Sequence, residues 1–195
     1  MNKKQWLGLG LVTVAAIGLA ACGNRASRKD SSDAKTDLKA AIVTDTGGVD
    51  DKSFNQSAWE GLQAWGKENG LSKDNGFTYF QSTSEADFAN NFSQAATNGY
   101  KLVYGVGYKL APAVTAAADE NADINYVIID SVVGDKKNVA SAVFADNEAA
   151  YLAGVAAAKT TKTNKVGFIG GAHGEVITRF EKGFEAGVKS VDQSI

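Results

Sequence analysis

The sequence predicts an α/β protein built on a doubly wound parallel sheet, and three observations carry this prediction. Short apolar runs alternate along the chain with segments whose apolar residues recur at helical spacing. Polar loops begin where an apolar run ends, as they do at the strand ends of open α/β sheets. Strands that alternate with helices are joined by right-handed crossovers, and such connections make the strands of one sheet parallel.

Each element can be justified in chain order. The apolar runs predict strands at residues 38–44, 76–80, 102–105, 124–130 and 139–144. The intervening segments predict helices at 54–68, 85–97 and 111–120, and Ser82 with Glu85 offers a capping box for the second of these. The first helix has one apolar face, formed by Phe54, Ala58, Leu62 and Trp65. An alanine-rich helix at 147–159, a strand at 165–170 and a helix at 175–188 are predicted to follow.

The first 37 residues predict export and a membrane anchor. Lys3 and Lys4 precede an apolar stretch at 6–21 that is too short to span a bilayer stably. Small residues then lead into Cys22, the single cysteine, in a pattern that resembles a lipobox. We therefore expect a signal peptide at 1–21, and a lipidated Cys22 with a polar tether at 22–37. The alternatives are an ordinary signal peptide with a chance cysteine, or a cysteine whose thiol is buried in the core. The lipid anchor would place the protein on the outer face of the bacterial cytoplasmic membrane.

Charge and motifs argue against several functional classes. The net charge of −2 gives no basic footprint for nucleic acid. The chain has no G-x-G-x-x-G motif, and the glycine-rich stretch at 170–174 lacks the Gly-Lys-Ser/Thr ending of a Walker loop. His173 is the single histidine, so neither a histidine-based metal site nor a catalytic triad is indicated. We expect no metal, no cofactor and no catalytic residue.

Polar and aromatic residues mark a ligand-binding crevice. Asp45 and Asp130 each end a predicted strand, so their carboxylates are expected to converge at one edge of the sheet. Asp45 alone could equally cap the following turn. Phe54 could stack on a nucleobase or simply begin the core of its helix. Asn55 could pair with a purine edge or satisfy backbone groups at the helix start. Gly107 and Tyr108, after the third strand, are expected to line the cleft.

Three segments resemble the basic membrane protein family, the purine-nucleoside-binding lipoproteins of bacterial ABC importers. They are the run TDTGGVDDKSFNQSAWEGL at 44–62, YLAG at 151–154, and RFE with GFEAG at 179–187. The resemblance covers about residues 38–189. It implies a type I periplasmic-binding-protein fold of two lobes, an ABC permease with its ATPase as partners, and a purine nucleoside as ligand. It also implies that Gly171 faces the cleft and that the base-facing half of the site comprises Asp45, Phe54, Asn55 and Asp130.

The lengths of the segments predict a complete first lobe at 38–160 and a second lobe that is only begun at 161–195. We therefore expect this sequence to be a fragment. The leading functional hypothesis is a membrane-tethered, non-enzymatic receptor that captures purine nucleosides by closing its lobes. The alternative within this fold is a receptor for a sugar or an autoinducer. Two other classes are an exported nucleoside-processing enzyme and a surface interaction protein.

Overall fold

Five parallel strands form one sheet in the order β2-β1-β3-β4-β5. The computed structural model describes residues 36–195. The predicted signal peptide, Cys22 and nearly all of the predicted tether lie outside the described residues. The strands are β1 (Ala40–Val43), β2 (Phe77–Phe80), β3 (Leu102–Val106), β4 (Asn125–Ile129) and β5 (Val139–Ala142). The helices are α1 (Phe54–Glu68), α2 (Asp87–Thr97), α3 (Ala111–Glu120), α4 (Asp146–Thr160) and α5 (Glu175–Val191).

Both faces of the sheet are covered, which confirms the doubly wound arrangement. Alternate residues of a strand point to opposite faces, and β1 therefore supplies both layers of the core. Ala41 and Val43 pack in the layer that contains α2 and α3, whereas Ala40 and Ile42 pack in the layer that contains α1. All four β1 residues are buried, because β1 lies inside the sheet between β2 and β3.

Helices α4 and α5 pack tightly against each other, and small residues make their close approach possible. A Cβ atom added to Gly154 would lie 2.2 Å from the carbonyl oxygen of Phe184. A Cβ added to Gly187 would lie 2.0 Å from the carbonyl oxygen of Tyr151. Glycine is therefore required at these contacts, since any side chain would push the two backbones apart. This pair spans the predicted lobe boundary at residue 160, which stays a prediction.

Two predictions about local structure are wrong. Residues 165–170 form no strand, because every strand within 36–195 pairs with another of the five and none lies beside this segment. Ser82 and Glu85 form no capping box. The Ser82 hydroxyl is buried and donates to the Thr44 carbonyl oxygen at 2.8 Å. The carboxylate of Asp87, the first residue of α2, instead accepts the backbone N–H groups of Thr83 and Ser84 in the turn before the helix.

Candidate functional site

The candidate site lies at the carboxyl edge of the sheet, around the ends of β1, β3 and β4. The chain leaves β1 for β2 on one side of the sheet and enters β3 on the other. The β1–β3 junction is therefore the topological switch point at which such sheets hold ligands. A Cβ added to Gly107, which follows β3, would lie 3.9 Å from the Asp45 carboxylate that follows β1. The structure thus brings these two predicted site residues together.

The loop between β1 and α1 is held by a hydrogen-bond network centred on Asn55. The side chain of Asn55 is 1% exposed. Its amide nitrogen donates to Asp45 Oδ1 at 2.6 Å and to Asp51 Oδ2 at 2.9 Å. Its amide oxygen accepts the backbone N–H of Asp45 at 3.3 Å. Asp45 Oδ1 also accepts the Gly47 N–H, whereas Asp45 Oδ2 accepts no hydrogen bond from residues 36–195.

The carboxylate of Asp51 stabilises the start of α1 by accepting hydrogen bonds from backbone N–H groups there. Its carboxylate accepts the backbone N–H groups of Ser53, Asn55 and Gln56 at 2.8, 3.2 and 3.1 Å. These donors lie in the first turn of the helix, where N–H groups lack intrahelical partners. Partial burial would raise the pKa of Asp51, but the N–H donors outweigh it and lower the pKa below its usual value. Asp51 therefore caps the start of α1.

Phe54 presents its ring to a cleft rather than to the core. The side chain is 56% exposed, although Trp59 and Leu62 on the same helix are buried. The ring lines a cleft of about 290 Å³, which we call the Phe54 cleft. Its other lining residues include Ser57, Asp130, Phe144, Asp146 and Phe180. The volume lies near the lower end of the range for small-molecule sites.

Asp130 is a buried carboxylate without a hydrogen-bond donor. Its φ of 68° is in the left-handed region, where a non-glycine residue is strained, and the residue is 7% exposed. No donor among residues 36–195 lies within hydrogen-bonding distance of the carboxylate. Burial raises its pKa, the nearby charge of Asp146 raises it further, and the charge of Arg179 opposes both effects.

Arg179 of α5 lies between the two buried acids. Its Nε and Nη2 atoms are 2.9 and 2.7 Å from Asp146 Oδ2, whereas Nη2 is 4.0 Å from Asp130 Oδ1. The side chains of Asp146 and Asp130 are 7% and 9% exposed, and that of Arg179 is 33% exposed. The arginine is therefore hydrogen-bonded to one acid and near the other.

A second cleft, also of about 290 Å³, lies on another side of Asp130. We call it the Tyr108 cleft, and its lining includes Tyr108, Asp130, Glu175 and Arg179. The predicted cleft residue Tyr108 is thus placed beside Asp130. Gly171 is exposed, and its neighbours Ala172 and Gly174 line the cleft instead.

Several lining residues received no site role from the sequence, among them Phe144, Asp146, Arg179 and Phe180. Arg179 and Phe180 belong to one of the segments that carried the resemblance, so a signal was present but had no assigned role. Asp146 starts a helix directly after β5, and its position at a strand exit could have indicated the site. Phe144 carried no signal that distinguishes it from a core residue.

Neither a metal site nor a membrane-spanning helix is found among the described residues. Within residues 36–195, no cluster of three or more His, Cys, Asp or Glu side chains has the arrangement of a metal site. Over the same residues, no helix combines the length and the apolar character that crossing a bilayer requires.

The fold, with its crevice at the strand ends, is one that solute-binding proteins of ABC transporters share. A solved structure from Aeropyrum pernix K1, described as an ABC transporter system solute-binding protein, superposes with a TM-score of 0.69 and 25% identity. The alignment covers 80% of this chain and 44% of that one. The type I periplasmic-binding-protein fold expected from the resemblance is thereby confirmed.

Residues 38–195 match the family described as "ABC transporter substrate-binding protein PnrA-like", and the chain belongs to this family. It is 58% identical, over 194 residues, to the ABC transporter nucleoside-binding protein BmpA of Lactococcus lactis. It is 50% identical, over 196 residues, to the CD4+ T-cell-stimulating antigen of Listeria monocytogenes. The alignments cover 99% and 98% of this chain and 55% of each relative. The chain thus spans about half the length of these curated relatives.

Proposed function

We propose that this chain carries the first-lobe half of a purine-nucleoside receptor that serves an ABC importer. The observation that carries the proposal is the pairing of Phe54 with Asp130 in one cleft. An exposed aromatic ring stands beside a buried carboxylate that has no donor of its own. A purine nucleoside offers both complements, a flat π-system for the ring and N–H or O–H groups for the carboxylate. The nucleoside-binding relative at 58% identity supports this choice of ligand.

The geometry suggests how a base would be held. Stacking on an aromatic side chain contributes about 1–3 kcal/mol per base. A charged acceptor forms stronger hydrogen bonds than a neutral one, so Asp130 would orient the base through its N–H groups. Asp45 Oδ2 is a second open acceptor, on the β1 side of the same sheet edge. Together the two acids favour ligands that are rich in donors.

Asn55 supports the site indirectly, whereas Asp45 keeps an oxygen atom open to a ligand. Both protons of its amide are donated within the loop, to Asp45 and Asp51. Its contribution here is therefore to fix the orientation of Asp45. Direct pairing of Asn55 with a purine edge stays a prediction, and it requires at least one of these hydrogen bonds to be exchanged for one to the ligand.

Capture by lobe closure, delivery to a permease with its ATPase, and anchoring through Cys22 complete the proposal. Closure needs a ligand that binds the closed form more tightly than the open form. The lining of both clefts by α5 residues supports such a mechanism, because α5 follows the predicted lobe boundary. The absence of chemistry in this scheme agrees with the family to which the chain belongs.

A thermal-shift titration tests the proposal. We would use a soluble form of the complete gene product beginning at Gly23, with purine nucleosides, free bases, ribose and hexoses as separate arms. A nucleoside at one hundred times its dissociation constant should stabilise the protein by about 2.7 kcal/mol. Stabilisation by sugars alone, or by no compound, would contradict the proposed ligand.

A variant of Phe54 tests the stacking contact. Phe54→Ala should weaken nucleoside binding by about tenfold or more, since stacking contributes more than 1 kcal/mol. Leu152→Ala is the matched control, because Leu152 is also an exposed apolar side chain (69%) but lines neither the Phe54 cleft nor the Tyr108 cleft. Equal effects of the two substitutions, measured by calorimetric titration, would exclude a specific role of the ring.

A further inference from the structure

Arg179 has no part in the capture scheme above, although it lies at the centre of the site. It is the only positively charged residue among those that line either of the two clefts. It projects from α5 towards two carboxylates that are both more than nine-tenths buried. One arginine between two buried acids leaves a net negative charge, so the position of the guanidinium decides which carboxylate it binds and which it leaves open.

Arg179 lies much closer to Asp146 than to Asp130. Arg179 Nε donates a hydrogen bond to Asp146 Oδ2 at 2.9 Å, and the buried Nη2 lies 2.7 Å from the same oxygen as an ion pair without a hydrogen bond. Asp130 Oδ1 is 4.0 Å away, beyond the length of a hydrogen bond but within the range of strong electrostatic attraction. Asp130 therefore gains the stabilising charge without spending an acceptor lone pair on the arginine.

We propose that Arg179 is a positioning residue for ligand capture, tethered by Asp146 so that it supports the charge of Asp130 while leaving that carboxylate open to the ligand. The proposal rests on the proposed function of Asp130. If Arg179 moved closer, it would occupy the acceptor and compete with the ligand. If it were absent, two buried carboxylates would face each other with no counter-ion, and Asp130 would take up a proton.

No other positively charged side chain among the cleft-lining residues could take the place of Arg179 beside Asp130. From α1 the Phe54 cleft receives Phe54, Ser57 and Ala58, none of which carries a charge. From the turn after β3 and from the start of α5, the Tyr108 cleft receives Tyr108 and Glu175. Glu175 is an acid and supplies no positive charge. Arg179 is thus the only cation that faces Asp130 from the elements that line the two clefts.

Two substitutions should shift the pH dependence of binding in opposite directions. With guanosine and inosine as probes, the complete gene product should lose affinity as the pH falls and Asp130 is protonated. Arg179→Gln should move this acid limb to higher pH by about one unit, because the opposing acid Asp146 remains. Asp146→Asn should move it to lower pH. It should also weaken binding at pH 8 by about tenfold, because the released arginine can close onto Asp130.

Two further variants distinguish a positioning role of Arg179 from a role in stabilising the fold alone. Arg179→Lys keeps the charge and should restore the acid limb to within a few tenths of a pH unit of the wild-type position. Lys182→Gln removes an exposed cation from the same helix and should leave the limb unmoved. Should Arg179→Gln fail to fold, Asp146→Asn decides the matter through its affinity at pH 8. Removing an acid that did not tether Arg179 would lower the pKa of Asp130 but leave binding at pH 8 unchanged.

The outcomes distinguish this inference from the function on which it rests. Opposite shifts for the Arg179→Gln and Asp146→Asn variants, together with weaker binding by Asp146→Asn at pH 8, support the positioning role. Shifts of the same sign, or none beyond that of Lys182→Gln, overturn it while nucleoside binding by the wild type stands. No binding of either nucleoside by the wild type overturns the nucleoside assignment and the positioning role together.

Discussion

At the residue scale, Asp130 combines a cost in stability with a use in binding. A buried carboxylate without a donor, held at a left-handed φ of 68°, is unfavourable for folding. Its folded pKa is raised, so the folded state resists ionisation more than the unfolded state does. The penalty is therefore absent below the unfolded pKa of about 3.8, grows as the pH rises through the folded pKa, and is fully present above it.

Asp130→Asn should accordingly stabilise the free protein at neutral pH while weakening ligand binding. Asparagine tolerates the left-handed conformation and removes the buried charge. A gain of about 1 kcal/mol corresponds to a rise in Tm of about 2–4 °C for a chain of this size. The gain should disappear below about pH 4. A lower Tm at pH 7, measured by calorimetry without ligand, would show that the carboxylate contributes net stability instead.

Some site residues could be predicted from sequence, and the reason differs for each. The placement of Asp45 and Asp130 at one edge of the sheet could be predicted, because the strand ends of a parallel sheet meet there. The full use of the Asn55 amide within its own loop could not be seen, because it depends on Asp51 bending back towards α1. Arg179 could not be placed either. Its contacts with Asp146 and Asp130 join residues 33 and 49 positions apart, and spacing carries no information at that range.

At the element scale, the α4–α5 pair depends on backbone contact. Gly187→Ala would place a methyl group 2.0 Å from the carbonyl oxygen of Tyr151, so the helices must separate. We expect a loss of about 1–3 kcal/mol. Gly61→Ala in α1 is the matched control, because nothing lies within 4 Å of its Cβ position. The control should gain about 0.5–1 kcal/mol from helix propensity alone. Equal changes in Tm for the two variants would contradict the close packing.

Most element boundaries followed local patterns, and the one strand that was wrongly predicted lies where pairing decides. The helix predicted at 54–68 has these bounds in the structure, because apolar spacing and the Asp51 cap act within a few residues. The run at 165–170 has the composition of a strand but no neighbouring strand within residues 36–195. Strand formation requires a partner's hydrogen bonds, and a single-sequence pattern does not show whether that partner is present.

At the scale of the whole molecule, protection from solvent should decrease outward from β1. The four residues of β1 are at most 1% exposed and are paired on both sides, whereas β5 is a half-exposed edge strand. Hydrogen–deuterium exchange should therefore be slowest in β1 and β3, faster in β5 and fastest in residues 165–170. Protection of residues 165–170 that equals the protection of β1 would contradict their unpaired arrangement.

The loop held by Asn55 has a consequence for the rate of ligand capture. Its hydrogen bonds are complete before any ligand arrives, so the conformational entropy of the loop is lost during folding rather than during binding. Association then needs no slow ordering step at this edge of the sheet. We therefore expect related ligands to associate at similar rates and to differ mainly in residence time, with the tighter ligand leaving more slowly.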